Sequence, residues 1–483
     1  SRHGARPRQR RAEGQGGGIL MYYDLNDKKE VTIMEAVGSY ELSSDGSSIA
    51  VMTSSGELAI VAVAEGQKVE KKVPLNQMAM TIDPMLEWKQ IFNDTWRMQR
   101  DYFYDKDMHG VDWAAMKVQY GKLIDQCVTR SDVNFVLGEL IGEINASHTY
   151  RGGGDEENAK MKNVGYLGAD WAKENGEFKI KKILRGAPWD TEVISPLDEA
   201  GVAIKEGDYI LAVNGDPLKD FQEPWLAFEG KAGQTVELTY NSTPTMVGAK
   251  KQLVKTMGDE TRLRNLAWIE RNRQIVDKAS GGKIGYIFVP STGVEDGQYE
   301  LVRMYYGQWD KEGLIIDERF NNGGQIPDRF VELLNKKPLA YFKTRDGKDW
   351  QWPPTGNFGP KAMLINGWSG SGGDAFPDYF RKSGLGPLIG TRTWGGLIGI
   401  SGVPALIDGG YITVPTFRMY DPDGKWFREG HGVDPDIEVL EDHEALAKGR
   451  DPQLEKAIEV VLKELNTGKK IHPVPPVKEN RSE

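Results

Sequence analysis

The chain has 483 residues, too many for one ordinary hydrophobic core, and this length predicts about three domains of roughly 100 to 200 residues each. Apolar residues make up 39% of the chain and charged residues 27%, which excludes wholesale disorder. The net charge of -10 argues against a nucleic-acid groove or an anionic membrane surface as the main partner, because both require concentrated positive charge. These values favour a soluble enzyme.

Residues 1–20 carry several arginines before the first acidic residue and then a glycine run, which predicts a leader that is disordered or foreign to the fold. The single cysteine, Cys127, falls in a run with helical spacing and cannot form an internal disulfide, so the fold does not depend on an oxidising compartment. No apolar run approaches the ~18 to 20 residues that span a bilayer. We therefore expect a cytoplasmic protein, or a periplasmic one if a leader was lost with a missing N-terminus.

Residues 21–82 read as a meander of short strands, because the alternating segments VTIMEAV, SIAVMTS and LAIVAVA are separated by turn pairs such as Asp45-Gly46 and Ser55-Gly56. The pattern is similar to one blade of a β-propeller, a module that needs several blades to close. We expect this region to be the last blade of a propeller, and the chain to be part of a longer protein.

Residues 83–160 are predicted to form a small helical bundle, because apolar residues recur at helical spacing up to Ile144. Asp112 and the pair Ser131-Asp132 are the expected N-caps. The bundle is followed by the loop Asn145-Ala146-Ser147-His148-Thr149-Tyr150, which is a candidate site because it carries a histidine at the end of a rigid helix.

Residues 161–258 resemble a PDZ domain, with short strands and turn residues around ISPLDEAGVAIKEGDYILAVNGDPL. Tyr166, Leu167 and Gly168, followed by Ala169, stand at the position of the carboxylate-binding loop. The resemblance implies substrate binding by strand addition, in which an extended peptide pairs with an open sheet edge and its carboxylate contacts backbone N–H groups.

Residues 259–483 alternate between strand and helix patterns, from KIGYIFV through GLIIDERF and AMLIN to the helical DAFPDYFRKSG. Such alternation predicts right-handed βαβ units, a mostly parallel sheet and ligands at the carboxyl ends of the strands. The region resembles the crotonase and ClpP-like fold. The complete prediction is a multidomain chain with a propeller remnant, a helical bundle, a PDZ-like β domain and an α/β catalytic domain.

Two predicted strand ends are rich in glycine: Asn321-Asn322-Gly323-Gly324 and Trp368-Ser369-Gly370-Ser371-Gly372-Gly373-Asp374. A serine at a strand-to-helix turn projects its Oγ from a rigid corner, and the N–H groups that open the helix can stabilise an oxyanion. Ser371 is favoured over Ser369 because it is nearer to the helix start. A flexible loop or a phosphate cradle remains an alternative, although no Walker Gly-Lys-Ser/Thr follows.

A serine nucleophile needs a base, and the chain has 6 histidines. The terminal His3 and His472, the acidic-stretch His443 and His109 in an Asp/Lys-rich loop are less suitable, which leaves His148 and His431. There is no H-E-x-x-H motif and no cysteine pair, so we expect neither a metal nor another cofactor.

The segments ASHTY, DERFNNGG, GSGGDAFPDYFRK, TRTWGGLIGI and EGHGVDPDIEV, together with the PDZ-like insert, resemble the tricorn protease family, a branch of the S41 serine peptidases. The resemblance implies hydrolysis of short or unfolded peptides through an acyl-enzyme. It implies Ser371 as nucleophile, His148 as general base, Ser147 as a bridge and Glu429 as the acid that orients the histidine. The oxyanion donors would be Gly324 and Gly372, with Gly323 as a neighbouring possibility.

The other S41 branch, the carboxyl-terminal processing peptidases, uses a lysine base, and Gly396 stands where that lysine would be. The tricorn resemblance also implies a homo-oligomer, a hexameric ring in which subunits contribute to each other's specificity pockets. An acidic residue in that pocket favours substrates with a basic P1 side chain, and Asp346 and Asp349 are both candidates for this residue. A catalytically silent peptide-binding scaffold and a crotonase-type acyl transferase are the alternatives. We expect peptide partners, no nucleic acid and no membrane.

Overall fold

The computed structural model describes residues 8–11, 17–467 and 472–482, and the chain divides into two compact units, Ser1–Glu87 and Trp88–Glu483. The first unit holds one antiparallel sheet whose strands follow chain order. Its strands are β1 Arg8–Arg11, β2 Gly18–Asp24, β3 Lys29–Leu42, β4 Ser48–Thr53 and β5 Leu58–Ala62. Alternate residues of β4 are buried, as expected for a strand with one face on a core. The predicted meander is confirmed.

Residues 1–20 were expected to be disordered or foreign to the fold, and the part of them that the structure describes includes a strand. Arg8–Arg11 pairs with β2 in the register Arg8↔Met21 to Arg11↔Gly18. Composition alone suggested disorder, whereas backbone hydrogen bonds to a sheet edge do not depend on side-chain composition. Residues 1–7 and 12–16 lie outside the described residues.

Three helices come next in the chain: α1 Pro84–Tyr102, α2 Trp113–Ile124 and α3 Arg130–Gly142. Asp112 caps α2 as predicted, since its carboxylate accepts the Ala115 N–H. The predicted cap Ser131-Asp132 is wrong by two residues, because Thr129 is the N-cap of α3. The Thr129 hydroxyl accepts the Asp132 N–H and the Asp132 carboxylate accepts the Thr129 N–H, which completes a capping box. Cys127 is buried after the end of α2, and not inside a helix.

The helical core includes residues from far along the chain. Leu137 and Leu140 of α3 belong to the same hydrophobic cluster as Leu406, Ile412 and Val414. The helices therefore share their core with a segment that follows the predicted nucleophile, which ties the two parts of the site together.

A six-stranded antiparallel sheet forms the PDZ-like region, in the order β12-β11-β9-β8-β7 with β10 paired to β9. After the short β6 Arg151–Gly152, its strands are β7 Ala169–Glu174, β8 Glu177–Ile183, β9 Tyr209–Val213, β10 Asp216–Pro217, β11 Thr235–Asn241 and β12 Lys250–Lys255. Asn214 and Gly215 both have positive φ between β9 and β10, which is the two-residue hairpin turn that an Asn-Gly pair favours.

The remaining chain builds a five-stranded parallel sheet in the order β13-β14-β17-β18-β22. The prediction of a mostly parallel sheet from βαβ units is therefore confirmed. Its strands are β13 Ile284–Phe288, β14 Gly313–Asp317, β17 Lys361–Ile365, β18 Leu388–Gly390 and β22 Ile437–Glu438. Every residue of β13, β14 and β17 is buried, as expected for parallel strands covered by helices.

The same part of the chain contains further helices and short paired strands. The helices are α4 Thr261–Ser280, α5 Tyr299–Tyr306, α6 Pro327–Leu334, α7 Gly372–Lys382, α8 His443–Ala447 and α9 Pro452–Leu465. Helices α4, α5 and α9 contact the sheet. The short strands are β15 Ala340–Phe342, β16 Trp350–Trp352, β19 Gly399–Ser401, β20 Tyr411–Ile412 and β21 Val414–Phe417. They pair as β15-β16, β19-β21 and β20-β6. Among the described residues no helix is both long and apolar enough to cross a bilayer.

Candidate active site

Ser371 lies at the turn between β17 and α7, and its backbone has φ 57° and ψ -116°. A positive φ is unusual for a residue with a Cβ and costs of order 1–3 kcal/mol. Neighbouring hydrogen bonds hold the turn: the Ser371 N–H donates to Asp374 Oδ2 at 2.9 Å, and the Gly370 N–H donates to the Asn321 carbonyl at 3.0 Å. The partly exposed Ser371 is therefore presented on a rigid corner.

The two glycine-rich strand ends meet at this corner. A Cβ built on Gly372 would lie 2.7 Å from the Gly324 nitrogen, so the two backbones are in direct contact. Neither the Gly324 N–H nor the Gly372 N–H has a hydrogen-bond acceptor among the described residues. The Gly323 N–H, in contrast, donates to Asn321 Oδ1 at 2.9 Å. Two of the three predicted oxyanion donors are thus free, while the third is engaged.

His148 lies in the loop after α3 and also has a positive φ, of 58°. Hydrogen bonds join this loop to the chain near β20 and β21: the Tyr150 N–H donates to Thr413 Oγ1 at 2.7 Å, and Thr413 Oγ1 donates to the His148 carbonyl at 2.5 Å. The β6-β20 pair continues the connection. These contacts join the loop of His148 to a segment that follows Ser371 in the chain.

The imidazole of His148 is partly buried, and burial lowers its pKa below the ordinary value, while the charge of Glu429 and the Gly396 backbone oppose this shift. Its ring lies 6.0 Å from the ring of Trp394, centroid to centroid, in an edge arrangement. Trp394 in turn covers Gly370, where an added Cβ would lie 2.7 Å from Trp394 Cε3. His148 and Ser371 therefore share one neighbourhood, although the described residues show no hydrogen bond between them.

Glu429 is held by backbone N–H groups on both carboxylate oxygens. Oε1 accepts the Ser147 N–H at 3.0 Å, and Oε2 accepts the N–H groups of Leu397 and Ile398 at 3.0 and 3.3 Å. The Ser147 hydroxyl is buried and has no partner among the described residues. Glu429 thus contacts the predicted bridging serine through its backbone and not through its hydroxyl.

Asp374 is a site residue to which the sequence analysis assigned no role. Its side chain is fully buried, and burial raises its pKa to about 6 against four hydrogen bonds that lower it. The available signal was its position three residues after Ser371, which is the spacing of a capping box.

His109 was set aside in the sequence analysis, yet its side chain supports the loop that carries His148. Its Nδ1 lies 2.8 Å from the Ile144 carbonyl, and its Nε2 contacts the Tyr104 hydroxyl. His431 was the second candidate base. Its Nε2 lies 2.8 Å from Asp434 Oδ2, and within the described chain it makes no hydrogen bond or ion pair with Ser371.

The predicted specificity residues lie between β15 and β16. Asp349 pairs with Lys343 at 3.0 Å, and Asp346, 91% exposed, lies 3.7 Å from Arg345. Among the described residues neither carboxylate forms a hydrogen bond or ion pair with Ser371 or His148.

The predicted carboxylate-binding loop contacts α4. Tyr166 pairs with Met257, Leu167 is buried, and a Cβ on Gly168 would lie 2.8 Å from Leu263 Cδ2.

The described residues contain no group of three or more His, Cys, Asp or Glu side chains that could hold a metal ion.

Three segments match known family models in succession. Residues 84–142 match the Tricorn protease C1 domain, residues 165–259 the Tricorn protease PDZ domain and residues 283–439 peptidase family S41. The crystal structure of the tricorn protease superposes with a TM-score of 0.83 at 28% sequence identity, over 93% of this chain and 43% of that chain.

Curated relatives agree with these matches. The chain is 32% identical over 450 residues to Tricorn protease of Thermoplasma volcanium, which covers 93% of this chain and 43% of the relative. It is 34% identical over 453 residues to Tricorn protease homolog 1 of Streptomyces coelicolor, which covers 92% of this chain and 42% of the relative. The chain spans about half the length, or less, of the relatives it matches. The chain belongs to the tricorn protease family of S41 peptidases.

Proposed function

We propose that this chain is a serine peptidase that hydrolyses short or unfolded peptides through an acyl-enzyme. The observation that carries the proposal is that Ser371, on a strained turn, lies beside the N–H groups of Gly324 and Gly372, which have no acceptor in the part of the chain that the structure describes. Acyl transfer requires a nucleophile and an oxyanion hole; the Ser371 hydroxyl matches the first and the two N–H donors match the second.

In the proposed reaction, Ser371 Oγ attacks the peptide carbonyl while His148 accepts the hydroxyl proton. The carbonyl oxygen becomes an oxyanion and accepts hydrogen bonds from Gly324 and Gly372. The intermediate collapses when His148 returns the proton to the leaving amine, which breaks the C–N bond and leaves the acyl group on Ser371. Water then repeats the sequence and releases the acid.

Burial supports the role of His148 as a base, because a lowered pKa keeps the imidazole neutral at pH 7. Glu429 opposes that shift, so its charge stabilises the imidazolium that forms during proton transfer. The hydrogen bond from the Ser147 N–H to Glu429 supports an orienting role for this acid. We propose that Ser147 then links Glu429 to His148.

Gly323 is the weakest of the proposed oxyanion donors, because its N–H is already satisfied by Asn321. Its lack of a side chain leaves room for Ser371, because a Cβ at this position would lie 2.8 Å from the Ser371 Cβ. The silent-scaffold alternative is not favoured by the S41 match over residues 283–439.

We also propose the finer features that the family resemblance implies. The first is a division into domains that end at residues 20, 82, 160 and 258, with a propeller blade over residues 21–82. The next two are peptide binding at Tyr166, Leu167 and Gly168, and a preference for the P1 side chain of the substrate set by Asp346 or Asp349. The last two are a homo-oligomer and a cytoplasmic location. The five-stranded meander supports the blade, and the named relatives support peptides as substrates. Contact with Leu263 narrows the space at Gly168 for a peptide carboxylate.

The test is treatment with a fluorophosphonate followed by peptide mass spectrometry. We expect one labelled peptide, containing Ser371, and loss of both labelling and peptide hydrolysis in Ser371→Ala. Ser383→Ala, at the other end of α7, is the matched control and should keep both. Peptide hydrolysis that persists in Ser371→Ala would contradict the proposal.

A further inference from the structure

Asp374 joins two segments that are separate in sequence. Its carboxylate accepts hydrogen bonds from the Ser371 N–H at 2.9 Å, the Thr393 hydroxyl at 2.5 Å, the Gly395 N–H at 2.8 Å and the Gly396 N–H at 3.0 Å. The side chain is fully buried, so water does not compete for these contacts. One carboxylate therefore binds both the nucleophile turn and residues 393–396.

The four donors require an ionised carboxylate. Oδ1 accepts from Thr393 and Gly395, and Oδ2 accepts from Ser371 and Gly396. An ionised carboxylate offers acceptor sites on both oxygens, whereas an amide has one oxygen and one NH₂ group. In either orientation the NH₂ of an asparagine would face a backbone N–H.

Residues 393–396 lead directly to the groups around the base. The next two residues, Leu397 and Ile398, donate to Glu429, which accepts the Ser147 N–H beside His148. The Gly396 backbone also contacts His148. A shift of residues 393–396 would thus move both the acid and the surroundings of the imidazole.

We propose that Asp374 is a positioning residue that fixes the distance between Ser371 and His148; this rests on the proposed function. It holds the positive φ of Ser371 through the serine N–H and holds the base through residues 393–396. Asp374 touches neither substrate nor the reacting atoms, and it acts through the two groups that do.

The first experiment compares Asp374→Asn with wild type in kcat, in KM and in the rate of fluorophosphonate labelling. Because a displacement of about 1 Å can cost on the order of 10²-fold in rate, we expect kcat and the labelling rate to fall by about that factor while KM changes little. The matched control is Asp132→Asn, which changes the same capping-box position of α3 and should leave both rates near wild type. Full kcat and full labelling in folded Asp374→Asn would overturn the proposal.

A pair of variants keeps the test decisive if Asp374→Asn does not fold. Thr393→Val removes one donor to Asp374, and Thr393→Ser keeps it. We expect Thr393→Val to lower kcat and the labelling rate, and Thr393→Ser to restore both. Equal, full activity of the two variants would overturn the proposal. A wild-type chain that is neither labelled nor active would instead refute the proposed function, so the two failures are distinguishable.

Discussion

Ser371 and His148 both have positive φ, at 57° and 58°, which few residues other than glycine adopt. Such conformations persist only where the surroundings hold them, and they are concentrated at functional sites. For Ser371 the surroundings are Asp374 and the Asn321 carbonyl; for His148 they are Thr413 and the contacts of Tyr150. Both residues that the sequence selected for chemistry are therefore among the described non-glycine residues with a positive φ.

The first residue-scale prediction concerns relative activity. His148→Ala should lower kcat/KM nearly as much as Ser371→Ala, on the order of 10⁴-fold or more, because members of one proton relay fail together. Ser147→Ala should cost much less, because its hydroxyl has no partner among the described residues and its N–H to Glu429 survives. Lys382→Ala is the control, since this lysine pairs with Asp378 at the far end of α7. Peptidase assays would contradict the histidine mechanism if Lys382→Ala were inactive and His148→Ala active.

The second residue-scale prediction concerns how kcat/KM depends on pH. Below its pKa, His148 is protonated and cannot accept the serine proton, so kcat/KM should rise with pH through a midpoint below the ordinary histidine value of 6.5. Glu429→Gln removes a charge that raises this pKa, and the midpoint should move to lower pH as the rate falls. Asp434→Asn, which alters the partner of His431, should leave the profile unchanged. A midpoint that moves upward in Glu429→Gln would contradict the assignment.

At the scale of elements, α7 begins at the carboxyl end of a parallel strand, which is where such sheets place their ligand sites. The helices α2, α3, α8 and α9 begin at residues whose side chains accept a backbone N–H, and the start of α3 offers a direct test. Thr129→Ala should lower the free energy of unfolding by about 1 kcal/mol, because it removes the N-cap acceptor. Ser131→Ala, one of the residues that sequence alone suggested, should have little effect. Chemical denaturation of the two variants would contradict the observed cap if their effects were reversed.

At the scale of the whole molecule, the site depends on the helical region staying attached to the part that carries Ser371. Arg130 of α3 and Asp408 form a buried ion pair, with side chains 2% and 1% exposed and 2.6 Å between Nε and Oδ2. Asn134 accepts a second hydrogen bond from Arg130. This contact lies between the helix that leads to His148 and a segment that shares its hydrophobic core.

Removing one partner of such a pair leaves a buried charge, so Asp408→Ala should lower the free energy of unfolding by about 3–5 kcal/mol. Asp125→Ala breaks an exposed pair with Lys89 and should cost less than about 1 kcal/mol. Denaturant titration of both variants measures the difference. Equal, small losses would show that the ion pair does not hold the two regions together.

The sequence by itself determined the order of elements and the identity of the chemical groups. Period-2 and period-3.6 patterns predicted the meander, the helices and the parallel sheet, because these periods depend on which face of each element is buried. The glycine-rich turn between a strand and a helix identified Ser371, because such a turn needs small residues. Among the histidines, the residues alone left His148 and His431, and the ASHTY segment selected His148 through the family resemblance.

Only the tertiary structure decided which hydrogen bonds those groups make. Gly323 and Gly324 are equivalent in sequence, yet only the Gly323 N–H is satisfied by Asn321. Glu429 accepts a backbone N–H and not the Ser147 hydroxyl, and Asp374 gathers donors from a segment about twenty residues away. Hydrogen bonds depend on distances of a few tenths of an ångström between distant parts of the chain, and local patterns carry no information about such distances.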